Sequence, residues 1–460
     1  MARTRNEMLA ARIAETGWSQ PKAAAAVLRV AQESGAAELY GISRSHIAMW
    51  IQGTRPSGQA PHILCETLTR KLGRPITRAD IGLEPQQTTS DGSDWSADTL
   101  TMLGELGSDD LDMLNRRKIL ASATYSVAGL AVPGPGWWDQ APTRARRRPA
   151  TSSRTVTQAD IDDIRQTTAF YSARDQQRGG AAGRSALVAH LSLEAAPLLS
   201  ARFPSEPVRR EVHSAIAEMT YLAGWTAFDA SEHRAAQRYF TLAVKLAAEA
   251  GDGPLAGHVL RAMAHQAVDL SHPQQALGLA AASMDSTRYG KASWREKALL
   301  GIVHARALAA SGDRQGTLAA ISRAERDLAR ETGDAPSRVE FFAEASLAHE
   351  TACALRDLGD PRDAEIHFQR SVATRRRQLY TRTHSVTLGY LGAVQVRQGR
   401  LDEACHSWNQ ALDAMTDVHS GRARDIIVRM QRELAPVRRR GGHHVTELDQ
   451  RAREMLRTIG

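Results

Sequence analysis

The segment Glu232–Ala247, with the sequence EHRAAQRYFTLAVKLA, carries the pattern that decides the fold. Ala236 is small, the aromatic Phe240 follows four positions later, and the small Ala243 follows three positions after that. Residues three and four apart lie on one face of an α-helix, so this face alternates small and bulky side chains. Small residues allow a second, antiparallel helix to approach closely, and the pattern therefore predicts a helix that packs in a pair.

The same pattern recurs four more times along the chain. The further positions are Ala276/Ala280/Ser283, Thr317/Ile321/Ala324, Ala364/Phe368/Ser371 and Ala404/Trp408/Ala411. The leading residues are separated by 40, 41, 47 and 40 residues. Twelve positions before each leading residue, on the expected partner helix, stand Gly224, Ala264, Ala305, Ala352 and Gly392. A period in this range is typical of an α-solenoid built from helical hairpins.

These hairpins resemble the tetratricopeptide repeat, whose first helix carries Gly or Ala and whose second carries Ala, an aromatic residue and Ala. The resemblance extends over most of residues 155–436, although the first-helix Trp is absent and the period exceeds the usual ~34 residues. It implies an all-α body in which ten residues pack the hairpins together: Gly224, Ala236, Phe240, Ala276, Ile321, Ala364, Phe368, Gly392, Ala404 and Trp408.

A second informative stretch is SRSHIAMWIQGTRP, Ser43–Pro56. Ile47, Trp50 and Ile51 fall at helical spacing and can face a core, while Ser43 and Gly53 suit the start and stop of a helix. Five polar side chains then remain for the outer surface and are candidates to contact DNA bases or phosphates: Arg44, Ser45, His46, Gln52 and Arg55.

This stretch resembles the recognition helix of Xre-type helix-turn-helix domains, in which Ser, Ile, Trp and Gly are followed by a basic residue and Pro. The matching positions are Ser43, Ile47, Trp50, Gly53, Arg55 and Pro56. The resemblance implies that residues 1–83 form a domain that binds double-stranded DNA. The chain departs from the family by the 23 positions between Gln20 and Ser43, which predict a longer preceding helix or an inserted loop.

Charge divides the chain at the end of this first unit. Residues 1–83 hold eleven Lys and Arg against six Asp and Glu, whereas residues 84–113 hold eight acidic residues and no basic ones. Residues 84–154 are therefore interpreted as a linker, first acidic and then basic, with a short apolar segment. Residues 437–460 are expected to be a basic C-terminal tail with a short helix. The net charge of +8 is compatible with a polyanionic partner.

Other site classes find little support in the sequence. The three cysteines are widely separated and offer no disulfide framework or zinc spacing, and we predict neither a metal site nor a cofactor. Residues 115–134 mimic a twin-arginine export signal, but they lie deep in the chain and are too short to span a bilayer, so we expect a packed segment. Without a phosphate loop or nucleophile motif, we predict no enzyme and place the isolated Asp and His residues of the body on solvated faces.

Together the two parts resemble actinobacterial transcriptional regulators of development and secondary metabolism. The resemblance implies a cytoplasmic, nucleoid-associated homodimer that does not contact membranes and that binds a peptide, a small molecule or a protein on the concave face of its repeats. The alternative is a tetratricopeptide-type interaction scaffold without specific DNA binding.

Overall fold

The computed structural model describes residues 5–34, 36–72, 76–83, 95, 97–116, 125–333, 335–436 and 442–458. In these ranges the chain is all-α, with one isolated β-bridge between Thr155 and Arg202. The helices are α1 (Glu7–Glu15), α2 (Gln20–Glu33), α3 (Arg44–Ile51), α4 (Ala60–Leu72), α5 (Thr99–Arg116), α6 (Pro135–Arg146), α7 (Gln158–Arg178), α8 (Arg184–His190), α9 (Glu206–Asp229), α10 (His233–Ala250), α11 (Gly253–Asp269), α12 (Pro273–Ser283), α13 (Ser286–Tyr289), α14 (Trp294–Ala310), α15 (Arg314–Ala329), α16 (Glu344–Asp357), α17 (Pro361–Thr374), α18 (Thr381–Arg397), α19 (Leu401–Ala414), α20 (Gly421–Leu434) and α21 (Gly442–Thr458).

Helices α1–α4 form an N-terminal unit with its own hydrophobic core. Ile47 and Ile63 are fully buried in this core, and Ile81 closes it from the short 3-10 turn Ala79–Ile81. The side chain of Asn6 caps α1 and also donates to the carbonyl oxygen of Ile81 at 2.8 Å. The two ends of the unit are therefore joined by a hydrogen bond that spans 75 positions.

Ten of the later helices pack as five adjacent antiparallel pairs, which we call the paired-helix body. The pairs are α9/α10, α11/α12, α14/α15, α16/α17 and α18/α19. Each pair turns through a left-handed residue at the same position, with φ between 63° and 82°: Ser231, Ser271, Gly312, Gly359 and Gly399. In each turn the next backbone N–H donates back to a carbonyl five residues earlier, as in a Schellman motif. The turns thus repeat with the same spacing as the packing pattern.

Glycines in the first helix of two pairs allow the closest approaches. A Cβ atom on Gly224 would lie 2.7 Å from the Phe240 ring, and one on Gly392 would lie 2.5 Å from the Trp408 ring. Both rings therefore pack against the glycine of their own pair. All ten predicted packing residues are buried.

The segment interpreted as a linker contributes two helices that pack on the paired-helix body. In α5, the buried Asp110 accepts from Arg184 at 2.5 Å and from the Tyr239 hydroxyl at 2.9 Å. From the basic part, Arg148 pairs with Glu249 of α10 at 3.0 Å. The acidic residues between 84 and 94 lie outside the described residues, as does part of the twin-arginine-like segment, residues 117–124.

The remainder of the twin-arginine-like segment lies between the N-terminal unit and the body. Tyr125 is 1% exposed, and its ring stacks on His272 with 5.8 Å between ring centroids. On the side of the N-terminal unit, the Arg70 guanidinium lies 6.0 Å from the centre of the Tyr125 ring, and Glu66 accepts from the backbone N–H of Val127 at 3.4 Å. Tyr125 therefore joins α4 to the turn that precedes α12.

The region around the first pair also contacts the segment that follows the fifth pair. Ser231, at the end of α9, donates to Asp425 of α20, and the backbone of residue 419 exchanges hydrogen bonds with residues 178 and 181 next to α7. At the C-terminal end, α21 buries Val445, Leu448 and Ala452 against α19 and α20, so it caps the stack. Residues 437–441 of the expected basic tail lie outside the described part. Within that part, no helix combines the length and the apolar character needed to cross a bilayer.

Candidate nucleic-acid interface

Helix α3 begins and ends as the signals in Ser43–Pro56 predict. The backbone N–H of Ser43 donates to His46 Nδ1 at 3.2 Å, and the Ser43 hydroxyl lies 3.0 Å from the same nitrogen. A neutral His46 therefore carries its proton on Nε2. At the other end, Gly53 adopts a φ of 99°, and the N–H of Thr54 donates back to the carbonyl of Met49. The left-handed glycine stops the helix after two turns.

The apolar face of α3 is held in the core of the N-terminal unit. Ile47 is 0% exposed and Trp50 6% exposed, while Ile51 is half-buried. The Trp50 ring meets the His46 ring edge-on, with 6.4 Å between centroids. The backbone carbonyl of Ile51 also accepts from the N–H of Asn6 at 2.8 Å. Both the side chains and the backbone thus fix the orientation of this short helix.

The polar face of α3 is open to solvent in the described part of the chain. Arg44, Ser45, Gln52 and Arg55 are exposed, and His46 is half-buried. Met49 adds an apolar side chain that is 40% exposed to the same surface. The helix contains no acidic residue, and the first turn of α2 contains none either. The paired-helix body does not cover this face, so a polyanion can reach it.

The long interval before α3 is divided between helix and loop. Helix α2 continues for 14 residues to Glu33, and a short 3-10 turn, Ala37–Leu39, precedes the cap of α3. Glu38 in this turn accepts from the backbone N–H of Gln59 at 2.8 Å, which holds the connection against the start of α4. The interval thus comprises a 14-residue helix followed by a loop with a 3-10 turn.

A buried polar network in the body was missed at the sequence level. The isolated Asp and His residues expected on solvated faces include Asp229, His213, His265 and His349, which are all buried, so that expectation was wrong. The Arg306 guanidinium donates to Asp269 at 2.9 Å and to Glu350 at 3.1 Å, although the three residues come from three helices. The signal available was the recurrence of Arg and His in the first helix of each pair.

Burial changes the titration of several groups in this network. It raises the pKa of Asp175 to about 6, and the nearby Asp229 contributes, although the Arg382 cation opposes the rise. Burial lowers the pKa of His349 to about 3 and the pKa of Arg375 to about 10. Charges held in this way cost free energy unless they are paired or bind a partner.

One group of metal-ligand type occurs among the described residues. Ligand atoms of Asp163, His190 and Glu194 lie within 4.8 Å of one another. The two carboxylates are exposed, and His190 and Glu194 stand one helical turn apart, at 3.4 Å. The group consists of one imidazole in contact with two exposed surface carboxylates, at 3.9 Å and 3.4 Å.

Comparisons with known proteins bear on the front of the chain. A family model described as the SP15 N-terminal domain matches residues 9–84, which comprise most of the N-terminal unit. Among curated proteins, no sequence matches the chain.

Proposed function

We propose that the protein is a sequence-specific, DNA-binding transcriptional regulator whose body mediates dimerisation and senses a ligand or partner. The observation that carries the proposal is the division of α3 into a buried face, Ile47 and Trp50, and an exposed face without acidic residues. A recognition helix needs this division, because one face anchors it while the other offers donors to base edges and phosphates.

In this proposal α2 and α3 form a helix-turn-helix with a lengthened first helix and connection. Arg44 and Ser45, on the first turn of α3, approach base edges in the major groove, where a guanidinium can bind guanine with two hydrogen bonds. Gln52 and His46 extend the same surface. Arg55, just beyond the helix, binds a backbone phosphate.

The five helical pairs support a solenoid of tetratricopeptide-like hairpins as the effector part. A single helix-turn-helix unit buries little DNA surface, so we propose a homodimer that reads two half-sites, with the body supplying the contact between subunits. Control of development or secondary metabolism in the cytoplasm, at the nucleoid, follows from the resemblance described for the sequence.

The decisive experiment is a gel shift of the full chain on genomic fragments, followed by quantitative binding to the preferred fragment and to random DNA. Arg44→Ala should weaken specific binding by about 1–3 kcal/mol and random binding by less. Arg29→Ala is a matched control: Arg29 is exposed in the same unit but lines a groove formed with His233 and Asp269 of the body. It should leave both affinities nearly unchanged.

Two outcomes would count against the proposal. Equal losses on both DNAs would reduce Arg44 to a phosphate contact. Absence of any sequence preference at moderate salt would favour the alternative, an interaction scaffold without specific DNA binding.

A further inference from the structure

A small cavity lies inside the paired-helix body, away from α3. Its volume is about 70 Å³, several times the ~15 Å³ that one water molecule requires. Side chains from α7, from α20 and from the first helices of all five pairs (α9, α11, α14, α16 and α18) line it, so it lies on the inner side of the stacked pairs. The cavity thus exists only in the assembled body.

Positive charge dominates the wall of this cavity. Five guanidinium groups line it, against two carboxylates: Arg261, Arg338, Arg375, Arg382 and Arg422, with Asp175 and Glu350. His265 and His349 add little charge, since burial lowers the pKa of both imidazoles. Among the lining groups the arginines outnumber the carboxylates by three, and Glu296, Asp229 and Asp269 behind the wall pair with three of the arginines.

Two of the arginines have no acidic partner within 4.0 Å in the part of the chain that the structure describes. Arg338 pairs with Glu296 at 2.6 Å, and both Arg382 and Arg422 contact carboxylates. In contrast, Arg261 and Arg375 form no ion pair within 4.0 Å among the described residues, although they are only 2% and 6% exposed. Arg261 donates to the Tyr221 hydroxyl, and Arg375 to the backbone carbonyl of Ala345. Buried cations of this kind are costly when they lack a counter-ion.

Unused hydrogen-bond donors lie on the same wall. The Nε atoms of Arg261 and Arg375 and the indole Nε1 of Trp225 are buried and have no hydrogen-bond partner in the described part of the chain. The Trp225 ring lies 5.7 Å from the Arg261 guanidinium and 6.0 Å from that of Arg382. Three N–H groups without acceptors and two unpaired cations therefore line one cavity.

The cavity opens into a larger groove. This groove has a volume of about 630 Å³ and shares seven residues with the cavity wall: Ser172, Gln176, Tyr221, Leu222, Arg338, Phe341 and Tyr380. Its size falls within the range of small-molecule pockets. Aromatic and aliphatic side chains at the junction can hold an apolar body whose charged end lies deeper.

We propose that this cavity is the binding site for the anionic head group of a small organic acid, with Arg261 and Arg375 as its counter-ions and Trp225 as a donor. The groove takes the apolar body of the same ligand. The head group is a carboxylate or a phosphate, since both present anionic oxygen atoms that accept hydrogen bonds. The inference names a ligand class for the sensing role proposed above, and any signalling by this site rests on that proposed function. Binding of the anion itself is measured without DNA.

The test uses the full chain and two aromatic anions, benzoate and phenyl phosphate, with benzyl alcohol as the neutral probe of similar size. Binding is followed by calorimetry and by the thermal unfolding midpoint, with each probe at up to about 10 mM. Both anions, or one of them, should bind and raise the midpoint, and the benzyl alcohol should not. Stronger binding of one anion identifies the head group as carboxylate or phosphate.

Variants then locate the site. Arg261→Met and Arg375→Met remove one charge each and should weaken anion binding about 10- to 100-fold. Arg370→Met on α17 is the matched control, because its side chain is 54% exposed and pairs with Glu344 at the surface. If the cavity variants fail to fold, tryptophan fluorescence replaces them. The bound anion should quench the fluorescence of the wild type and should not quench that of Trp225→Phe to the same extent.

Three results would overturn the inference: no binding of either anion, equal binding of benzyl alcohol, or unchanged affinity in both cavity variants. Anion binding without DNA binding would support this site and reject the regulator proposal. DNA binding without anion binding would reject this site and leave the regulator proposal standing.

Discussion

Arg382 of α18 and Asp229 of α9 form a buried ion pair at 3.1 Å, although 153 positions separate them in sequence. The same guanidinium donates to Asp175 of α7 at 3.0 Å. One side chain therefore connects the first pair, the fifth pair and the helix that precedes both. These ion pairs join the start of the body to its end. Arg382 and Asp175 also form part of the cavity wall.

Arg382→Met should destabilise the fold by about 3–5 kcal/mol, because it leaves two buried carboxylates without their shared cation. Urea unfolding of the full chain measures the change. Arg314→Met provides the comparison: Arg314 is 57% exposed and pairs with Asp360, so its loss should cost less than about 1 kcal/mol. Similar losses in the two variants would contradict the role assigned to Arg382.

Gly392→Ala should destabilise by about 1–3 kcal/mol, since the new methyl group would lie 2.5 Å from a Trp408 ring that cannot move freely. The ring is 1% exposed, and its Nε1 donates to the carbonyl of Gly389. Gly278→Ala is the control on an exposed helical surface with no atom within 4 Å, and it should stabilise by about 0.5–1 kcal/mol. Thermal unfolding of both variants would show opposite signs.

Ser271→Gly should stabilise the fold by about 0.5 kcal/mol. Ser271 has a φ of 63°, where a side chain is strained, and glycine occupies the equivalent position in the last three turns. The gain is partly offset by the greater freedom of glycine in the unfolded chain. Ser271→Ala keeps the strain and should bring no gain. A loss of stability in the glycine variant would show that Ser271 makes a contribution beyond its backbone.

Acidification should destabilise the protein partly through His272. Burial, reinforced by the Arg70 cation, lowers the pKa of His272 to about 3. Since this value is below the unfolded value near 6.5, the stabilising contribution is complete above that pH and is lost as the pH falls towards 3. Between pH 6 and pH 4, the free energy of unfolding of His272→Gln should therefore fall less steeply than that of the wild type, by about 1.4 kcal/mol per pH unit. Equal pH slopes for variant and wild type, in urea titrations, would argue against a neutral buried imidazole.

Local sequence determined the helical pairs and the division of α3. Ala236, Phe240 and Gly224 lie within one pair. Residues three and four positions apart share one face of a helix, so the spacing of these residues predicts which faces of the two helices meet. Likewise, Ile47 and Trp50 face a core and Arg44 faces solvent because all three lie within two turns of one helix. Contacts over such short separations follow from periodicity alone.

Only the tertiary structure decided what lies inside the body and where the middle of the chain packs. Asp110 meets Arg184 across 74 positions, and Arg382 meets Asp175 across 207, so no periodic signal in the intervening sequence relates them. From the sequence alone, a charged side chain on a helix is predicted to be solvated. It is buried only because the curvature of the stacked pairs places another helix over it. That curvature is a sum of small rotations between pairs, set by packing throughout the stack.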